Sequence, residues 1–406
     1  MRMTRTLIAP ALALAIATPL HAKTIEVAAG DGAQTRLQEA LIVAQPGDVV
    51  SIGAGRFALT DGLSLDVANV TVRGAGMEAT VLDFTTQQGA GEGLLVTSDD
   101  VTLRDFAIEN PHGDGIKSKG ADRIVYYRTR VTWTGGPKET NGAYGIYPVE
   151  STGVLIDGVK VSGASDAGIY VGQSKDITIR NSIAEGNVAG IEIENSRNAL
   201  VLSNYVTRNT GGILVFDLPA LPVMGGGNVM VGGNLVVGND TPNFAPKGNI
   251  VASVRRGTGI MVMANDHVEV IANQLDANPT AQIMVITYPL PFTDQRYNPV
   301  PRQIMLVANS FGRGGYDPQL PGAPALLAAF GGSLPPILWD GLGEPPQAGK
   351  SANANAWSLN LPKQGADPAQ ARPAPFHLPD WVPTPPGAAP LPRKGAPEAL
   401  DARLNL

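Results

Sequence analysis

Residues 166–217 read DAGIYVGQSKDITIRNSIAEGNVAGIEIENSRNALVLSNYVTRNTGGILVFD and contain one pattern three times. A glycine-isoleucine pair opens each copy at Gly168, Gly190 and Gly212, and consecutive copies begin 22 residues apart. An alternating apolar segment follows each pair, as in residues 177–179. Alternation with a period of two predicts β-strands, and several short strands in so few residues leave no room for a helix.

The same pattern extends beyond this stretch in both directions. Matching glycines occur earlier at Gly93, Gly115 and Gly145, and later at Gly259. Each unit predicts one coil of a solenoid, because coils stacked about 4.8 Å apart form parallel sheets with one buried face. The predicted fold class is therefore all-β, a parallel β-helix, over residues 49–316.

The composition agrees with a β-rich, turn-dense chain. The 406 residues include 48 glycines and 33 prolines, and only 16% are charged. Glycine and proline cost about 1 and 3 kcal/mol in helix interiors, which disfavours long helices. The chain has no cysteine, which excludes disulfides, cysteine zinc sites and haem attachment through cysteine. The formal net charge is -6, so nucleic acid is not an expected partner.

The chain outside the solenoid divides into three predicted segments. Residues 1–22 combine two arginines with an apolar run, which is typical of a signal peptide and predicts a periplasmic or secreted protein. Residues 23–48 predict a strand and a short capping helix, with a capping box from Thr35 to Gln38. Residues 317–406 lack the repeat and are rich in proline, which predicts an extended tail that packs on the solenoid or is partly disordered. No later segment is apolar for long enough to span a membrane.

Asparagines recur at fixed points of the repeat. They end alternating strands or occupy the next turn, at Asn181, Asn204, Asn234, Asn273, Asn309, Asn110, Asn187, Asn209, Asn239 and Asn278. Asparagine tolerates the left-handed backbone conformation and forms hydrogen bonds between stacked turns. We therefore expect these residues to be structural.

One stripe of exposed side chains is expected along the glycine-isoleucine strands, because alternate residues of a strand point to opposite faces. The stripe comprises Lys117, Tyr147, Tyr170, Glu192, Leu214 and Met261, with Glu194, Phe216 and Met263 beside it. Half of it is apolar, so we expect the tail or a partner protein to cover that half. Insertions flank the same strands at residues 133–143, 217–227 and 239–258. Insertions along one sheet commonly build a binding cleft.

The repeats resemble the right-handed parallel β-helix proteins of the pectin-lyase-like superfamily over residues 49–308. Pro111-His112 also resembles the Asp-Pro-His element of mannuronan C5-epimerases, with Asn110 in place of the aspartate. The Gly-His-Gly element of polygalacturonases has no counterpart here. Nor has the aspartate cluster of calcium-dependent pectate lyases, so neither a metal nor another cofactor is expected.

The resemblance implies a lyase or epimerase acting on an anionic polysaccharide. Such a reaction needs a cation for the uronate carboxylate, a base at C5 and an acid at the leaving oxygen. The predicted catalytic residues are Lys117 as the cation, His112 as the base and Tyr147 or Tyr170 as the acid, with Asp114 beside them. The predicted substrate-binding residues are Trp133, Lys138, Tyr144, Asp166, Glu192, Glu194 and Arg255.

The sequence leaves two points undecided. Trp133 can stack on a sugar ring or pin its own loop. The protein itself can be an enzyme or a non-enzymatic periplasmic scaffold with a protein partner, since it also resembles β-helix proteins that assist copper-site maturation of nitrous oxide reductase. An open stripe on the sheet favours the enzyme, and a fully covered stripe favours the scaffold.

Overall fold

The computed structural model describes residues 22–89, 91–349, 355–380 and 391–405. The predicted signal peptide lies outside this part of the chain, apart from Ala22. No helix among the described residues is long and apolar enough to cross a membrane.

Three long sheets, which we name A, B and C in the order that the chain visits them, make up the described part of the molecule. The strands of sheet A are Thr24–Val27, Val49–Ile52, Thr71–Arg73, Thr102–Arg104, Ile124–Tyr127, Thr152–Asp157, Lys175–Arg180, Arg197–Leu202, Gly227–Gly232, Asp266–Ile271, Arg302–Val307 and Gln347–Ala348. The strands of sheet B are Gly55–Ala58, Thr80–Asp83, Ala107–Glu109, Arg130–Thr132, Lys160–Ser162, Ile183–Glu185, Tyr205–Thr207, Leu235–Val237, Gln274–Asp276 and Ser310–Phe311. The strands of sheet C are Leu63–Leu65, Leu94–Val96, Ile116–Lys119, Tyr144–Val149, Ala167–Gly172, Ala189–Glu194, Gly211–Phe216, Thr258–Met263, Ala281–Ile286, Ile337–Trp339, Ala356–Ser358 and Ala374–Phe376.

Neighbouring strands of each sheet come from successive coils and run parallel, except for the final pair of sheet C. The α-helices are Ala33–Val43 and Ala323–Ala329, and the 3₁₀ helices are Ile250–Ser253, Pro368–Gln370 and Glu398–Asn405. This architecture is the predicted all-β parallel β-helix.

The core is a column of stacked aliphatic side chains inside the coils. Ile169, Ile191 and Ile213 are in register on adjacent strands of sheet C, and all three are fully buried. The isoleucine of each of these glycine-isoleucine pairs therefore points inward, on the face opposite to the expected stripe. Burying such a side chain contributes about 1.5–3 kcal/mol, so the repeat itself supplies the driving force for stacking.

Two asparagine ladders run along the turns of the solenoid. In one of them, Asn209 Oδ1 accepts hydrogen bonds from the backbone N–H (2.9 Å) and Nδ2 (3.0 Å) of Asn187 in the preceding coil. Asn209 Nδ2 donates in turn to Asn239 Oδ1 at 2.9 Å. The structural role of the buried asparagines is therefore confirmed. Asn181 is an exception, because it is exposed and the neighbouring Ser182 joins the second ladder through Asn204.

The N-terminal helix, Ala33–Val43, covers the first coils, and Leu37 and Leu41 on one of its faces are buried. The predicted capping box is wrong. The helix begins after Gly32, which has a left-handed backbone conformation, and no side chain caps its first turn. Thr35 therefore lies inside the helix, where its hydroxyl is not in the capping position.

The C-terminal part of the chain extends the solenoid beyond the expected end of the repeat at residue 316. Ile337–Trp339 and Ala356–Ser358 add parallel strands to sheet C. The segment 391–405 runs back along sheet A, where Leu400 packs in one cluster with Val125. This segment packs on sheet A, and other elements cover the outer face of sheet C over the middle coils.

Candidate functional site

The candidate site lies on the outer face of sheet C, along the predicted stripe. Lys117 is paired in register with Tyr147, Tyr170 with Glu192, and Glu192 with Leu214. The predicted order of side chains along the stripe is confirmed by this register. Parallel in-register strands place these side chains about 4.8 Å apart, which is close enough for direct contact.

Lys117 lies at the partly exposed end of the site, which we call the open end. Its Nζ lies 3.0 Å from Glu92 Oε1 and 3.6 Å from Asp114 Oδ2, and it lies 5.1 Å from the centroid of the Tyr147 ring. Burial opposes the charge on Lys117, but the hydrogen bond to Glu92 and the charge of Asp114 outweigh it and raise the lysine pKa. Lys117 is therefore a permanent cation rather than a base, and its side chain is one-quarter exposed.

Three tyrosine rings form the middle of the site. The centroids of Tyr144 and Tyr147 are 4.4 Å apart, and Tyr170 lies 4.6 Å from Tyr144 and 4.9 Å from Tyr147. The Tyr170 hydroxyl donates a hydrogen bond to Glu194 Oε1 at 3.1 Å. Burial and nearby carboxylates raise the pKa of Tyr144 and Tyr170 far above the ordinary value. These hydroxyls therefore stay protonated and can donate.

Three carboxyl groups form the closed end. Asp166, Glu192 and Glu194 are only 4%, 1% and 7% exposed. Burial, together with the charge of Glu194, raises the pKa of Asp166 to about 7. Burial also raises the pKa of Glu194 to about 7, with a further contribution from Asp217. Burial, and then the charges of Asp166 and Glu194, raise the pKa of Glu192 well above its ordinary value, and Glu192 Oε1 has no hydrogen-bond partner in the described structure.

A fourth carboxyl group, Asp217, was not among the predicted site residues. It accepts hydrogen bonds from the Gly226 N–H at 2.6 Å and from Asn265 Nδ2 at 2.8 Å, and burial raises its pKa to about 7. Its charge acts on Glu194. The sequence signal for Asp217 was its position directly after Phe216 of the stripe, at the start of an insertion.

A roof formed by the insertion at residues 239–258 covers the carboxyl groups. Ile250 and Val254 pack with the tyrosines in one cluster, and Asn249 Nδ2 donates a 3.4 Å hydrogen bond to Asp166 Oδ2. Val254 lies so close to Gly211 that a Cβ added to the glycine would approach it within 2.8 Å. The insertion therefore lies over the candidate site, and its part in binding stays a prediction.

Other elements cover the apolar half of the stripe. An insertion at residues 287–301, which the sequence analysis missed, brings Tyr288 and Tyr297 into the cluster that contains Phe216 and Met263. Tail residues around Leu326 pack in a separate cluster with the end of the stripe. The tail was expected to cover the apolar half of the stripe, and in the structure it covers only part of that half.

Four of the predicted residues do not join the site contacts. His112 is exposed, and its Nδ1 lies 3.0 Å from the Gly89 carbonyl oxygen. Trp133 is buried in the core and donates from Nε1 to the Pro111 carbonyl at 2.8 Å, which corrects the prediction that it binds substrate. It pins its loop instead. Lys138 and Arg255 are exposed on surface loops.

No group of three or more histidine, aspartate or glutamate side chains in the described ranges has an arrangement suited to a metal ion. The site consists instead of one cation, three phenols and several carboxyl groups. Such a set supports proton transfer near neutral pH, because carboxyl groups with a pKa near 7 can both give and take a proton.

The raised pKa of Glu194 predicts a specific dependence of stability on pH. Between the ordinary pKa of 4.5 and about 7, folded Glu194 holds a proton that the unfolded chain releases. Stability is therefore lost as the pH rises through this window. Glu194→Gln should make the slope of the unfolding free energy against pH less negative by about 1.4 kcal/mol per pH unit. Urea denaturation at several pH values measures the slope, and parallel curves for both proteins would contradict the assignment.

Comparison with known proteins supports the fold. A family model described as a right-handed β-helix region matches residues 68–223. The A-modules of two mannuronan C-5 epimerases of Azotobacter vinelandii are similar in structure. The AlgE4 module is 15% identical with a TM-score of 0.51, covering 80% of this chain and 91% of that chain. The AlgE6 module is 14% identical with a TM-score of 0.50, covering 81% and 92%.

DFA-IIIase from Arthrobacter chlorophenolicus, solved without its lid, is 12% identical with a TM-score of 0.50, and the match covers 78% of this chain and 92% of that chain. No curated protein matches the sequence. This protein is therefore a right-handed parallel β-helix. Likeness at such low identity defines the fold, whereas the chemistry has to be argued from the site.

Proposed function

We propose that this protein modifies a polysaccharide by acid–base catalysis at the tyrosine and carboxyl groups on sheet C. The observation that carries the proposal is the set of buried carboxyl groups, Asp166, Glu192 and Glu194, on the outer face of the sheet beside protonated tyrosines. These buried carboxyl groups do not stabilise the fold, because burying a carboxyl group without a partner costs free energy. Strongly shifted carboxyl groups of this kind are typical of active sites.

The two glutamates suit the two roles of glycosidic bond chemistry. Burial and the charges of Asp166 and Glu194 raise the pKa of Glu192, which therefore keeps its proton and is the proposed general acid. Glu194, which accepts the Tyr170 hydrogen bond, is the proposed base. The two residues are separated by one position on the same strand, so their backbones are about 6.6 Å apart.

The open end provides the route for substrate. Tyr144, Tyr147 and Lys117 are partly exposed, whereas Tyr170 and the carboxyl groups lie under the roof. A chain of sugar rings can bind along the exposed tyrosines, because aromatic side chains offer apolar faces with a polar tip. The linkage that reacts would then lie against Glu192 once the roof at residues 239–258 moves away.

The second candidate function is the lyase or epimerase reaction on an anionic polysaccharide. The contact of Lys117 with the Tyr147 ring favours it, because this pair places a cation next to a proton donor. Lys117 would neutralise the uronate carboxylate and Tyr147 would protonate the leaving oxygen. His112 is a weaker candidate for the base, since its ring lies against the Gly89 carbonyl.

Assays on a panel of polymers separate the candidates. The purified protein is incubated with neutral glycans, with chitin and chitosan, and with alginate and polygalacturonate. New reducing ends without unsaturated products indicate hydrolysis, ultraviolet absorbance of unsaturated uronates indicates a lyase, and proton NMR detects epimerised residues. No change in any polymer would overturn both enzymatic functions and favour a periplasmic scaffold.

We also propose that residues 1–22 direct export and are removed. The support is the arginine-flanked apolar run at the N-terminus. Fractionation of expressing cells, followed by the mass of the exported protein, tests this. A periplasmic or secreted chain that begins at Lys23 is expected, and an intact cytoplasmic chain would contradict it.

A further inference from the structure

The three acids of the site are buried together without a basic partner among the described residues, whereas several other buried acids of the protein have one. Elsewhere, Glu109 pairs with Arg130 at 2.9 Å and with Arg56 at 2.8 Å. In the described part of the chain, no ion pair joins Asp166, Glu192 or Glu194 to any basic side chain. A buried carboxyl group without a cation is costly. Asp340, outside the site, is also buried without a cation, but it accepts hydrogen bonds from the N–H and hydroxyl of Thr287 and from the Leu342 N–H, whereas Glu192 Oε1 accepts none from the described residues.

The one lysine at the site does not fill this role. Lys117 Nζ is already held by Glu92 at 3.0 Å and lies 3.6 Å from Asp114. The charges that act on Glu192 are those of Asp166 and Glu194, and both raise its pKa. The closed end of the site is therefore an acidic environment with no positive charge of its own to balance it.

Glu192 has unused bonding capacity. Its side chain is 99% buried within the protein, yet Oε1 has no hydrogen-bond partner among the described residues. Glu194, on the same face of the strand, accepts a bond from Tyr170, and Asp166 accepts bonds from Tyr144 and Asn249. Glu192 Oε1 is thus the acceptor left over after the protein has satisfied its neighbours. A buried acceptor without a protein partner can take a hydrogen bond from a water molecule or from a ligand.

The roof is attached to the carboxyl groups by little polar bonding. The hydrogen bond from Asn249 to Asp166 is 3.4 Å long, at the limit for such a bond. Over the carboxyl groups the roof packs through apolar side chains, Ile250 and Val254, whereas polar bonds hold its two ends, from the Thr241 N–H to the Asn209 carbonyl oxygen and from Arg256 to Asp317. A ligand that donates strong hydrogen bonds to the carboxyl groups can therefore replace Asn249 at small cost, and the aromatic rings would line its path.

We propose that the polysaccharide bound at this site contains an amino sugar, whose ammonium group binds at Glu192 between Asp166 and Glu194. This inference rests on the proposed function and names its substrate class. An ammonium group has several N–H donors, so it can satisfy Glu192 Oε1 and a neighbouring carboxylate together. It also supplies the positive charge that the protein does not. A uronate would instead place a second anion among the acids.

Isothermal titration calorimetry tests the inference with matched oligosaccharides. A glucosamine oligosaccharide is compared with its N-acetylated form, which has the same backbone and no charge, and with an oligogalacturonate. At about pH 6 an amine of ordinary pKa is protonated. We expect the glucosamine form to bind about 10- to 100-fold more tightly than the N-acetylated form. Titration in buffers of different ionisation enthalpy should show that the glucosamine form releases protons on binding, because Asp166, whose pKa is raised to about 7, ionises beside the ammonium group while Glu192 keeps its proton and accepts through Oε1.

Asp166→Asn should bring the affinities for the glucosamine and N-acetylated forms within about twofold of each other and should abolish the proton release. Asp166→Ser is the second variant if Asp166→Asn does not fold. The control is Glu185→Gln, which removes a glutamate on sheet B in the same coil and should retain both effects. Equal affinity for the two forms, or tighter binding of the galacturonate, would overturn the inference and leave the proposed function standing if any polymer is modified. No binding or modification of any glycan would overturn both.

Discussion

Glu192→Gln is expected to lower the rate of glycan modification by about 100- to 10,000-fold, the usual contribution of a general acid or base. The amide has the shape of the protonated carboxyl group but cannot give up a proton at neutral pH. Glu192 Oε1 has no partner in the described structure, so the change breaks no hydrogen bond at that atom. Rates of product formation on the active polymer of the panel measure the effect.

The same variant should not be less stable than the natural protein. Burial and the charges of Asp166 and Glu194 raise the pKa of Glu192, so ionising it in the folded state is costly, and at about pH 8 the amide should raise the melting temperature. Glu185→Gln should keep the natural rate, since Glu185 lies on a different sheet. Normal turnover by Glu192→Gln would contradict the catalytic role. Loss of both folding and activity would instead assign Glu192 to structure.

Asn209→Ala is expected to destabilise the solenoid by about 2–6 kcal/mol. The asparagine accepts hydrogen bonds from the backbone N–H and Nδ2 of Asn187, and both donors would lose their acceptor in a fully buried position. Each buried group left without a partner costs about 1–3 kcal/mol. Urea denaturation followed by circular dichroism measures the change in the free energy of unfolding.

The matched control for this change is Asn181→Gly. Asn181 also ends a strand of sheet A, but it is exposed and has a positive φ of 52°, which glycine adopts freely. Its loss should cost no more than about 1 kcal/mol. Similar destabilisation by the two changes would show that burial in the ladder does not decide the effect.

Much of the fold could be predicted because every copy of the repeat has the same alternation of inward apolar and outward residues. Each inward isoleucine, such as Ile191, is in register with its counterpart in the next coil. The strand period then places Tyr170 and Glu192 on the outer face without further information. The stripe was therefore predictable as an ordered row of side chains, together with the asparagine ladders that stabilise the turns.

Other features of the site depended on contacts between residues far apart in the chain. Asn249 reaches Asp166 across 83 positions, and Tyr297 donates from its hydroxyl to the Asp217 carbonyl across 80. Trp133 was open to two interpretations because its sequence context fits an exposed or a buried ring equally, and only packing in the core shows that it pins its loop. Insertions have no period, so their paths cannot be extrapolated from one coil to the next.

The sequence alone determined the coil, its inward aliphatic residues and the order of polar side chains along sheet C, since all of these follow from periodicity and short-range geometry. The tertiary structure decided the environment of those side chains. Glu192 would be an ordinary exposed acid on a bare sheet. It becomes a buried acid with a raised pKa because the roof, the neighbouring tyrosines and two further carboxyl groups remove water and add like charge around it.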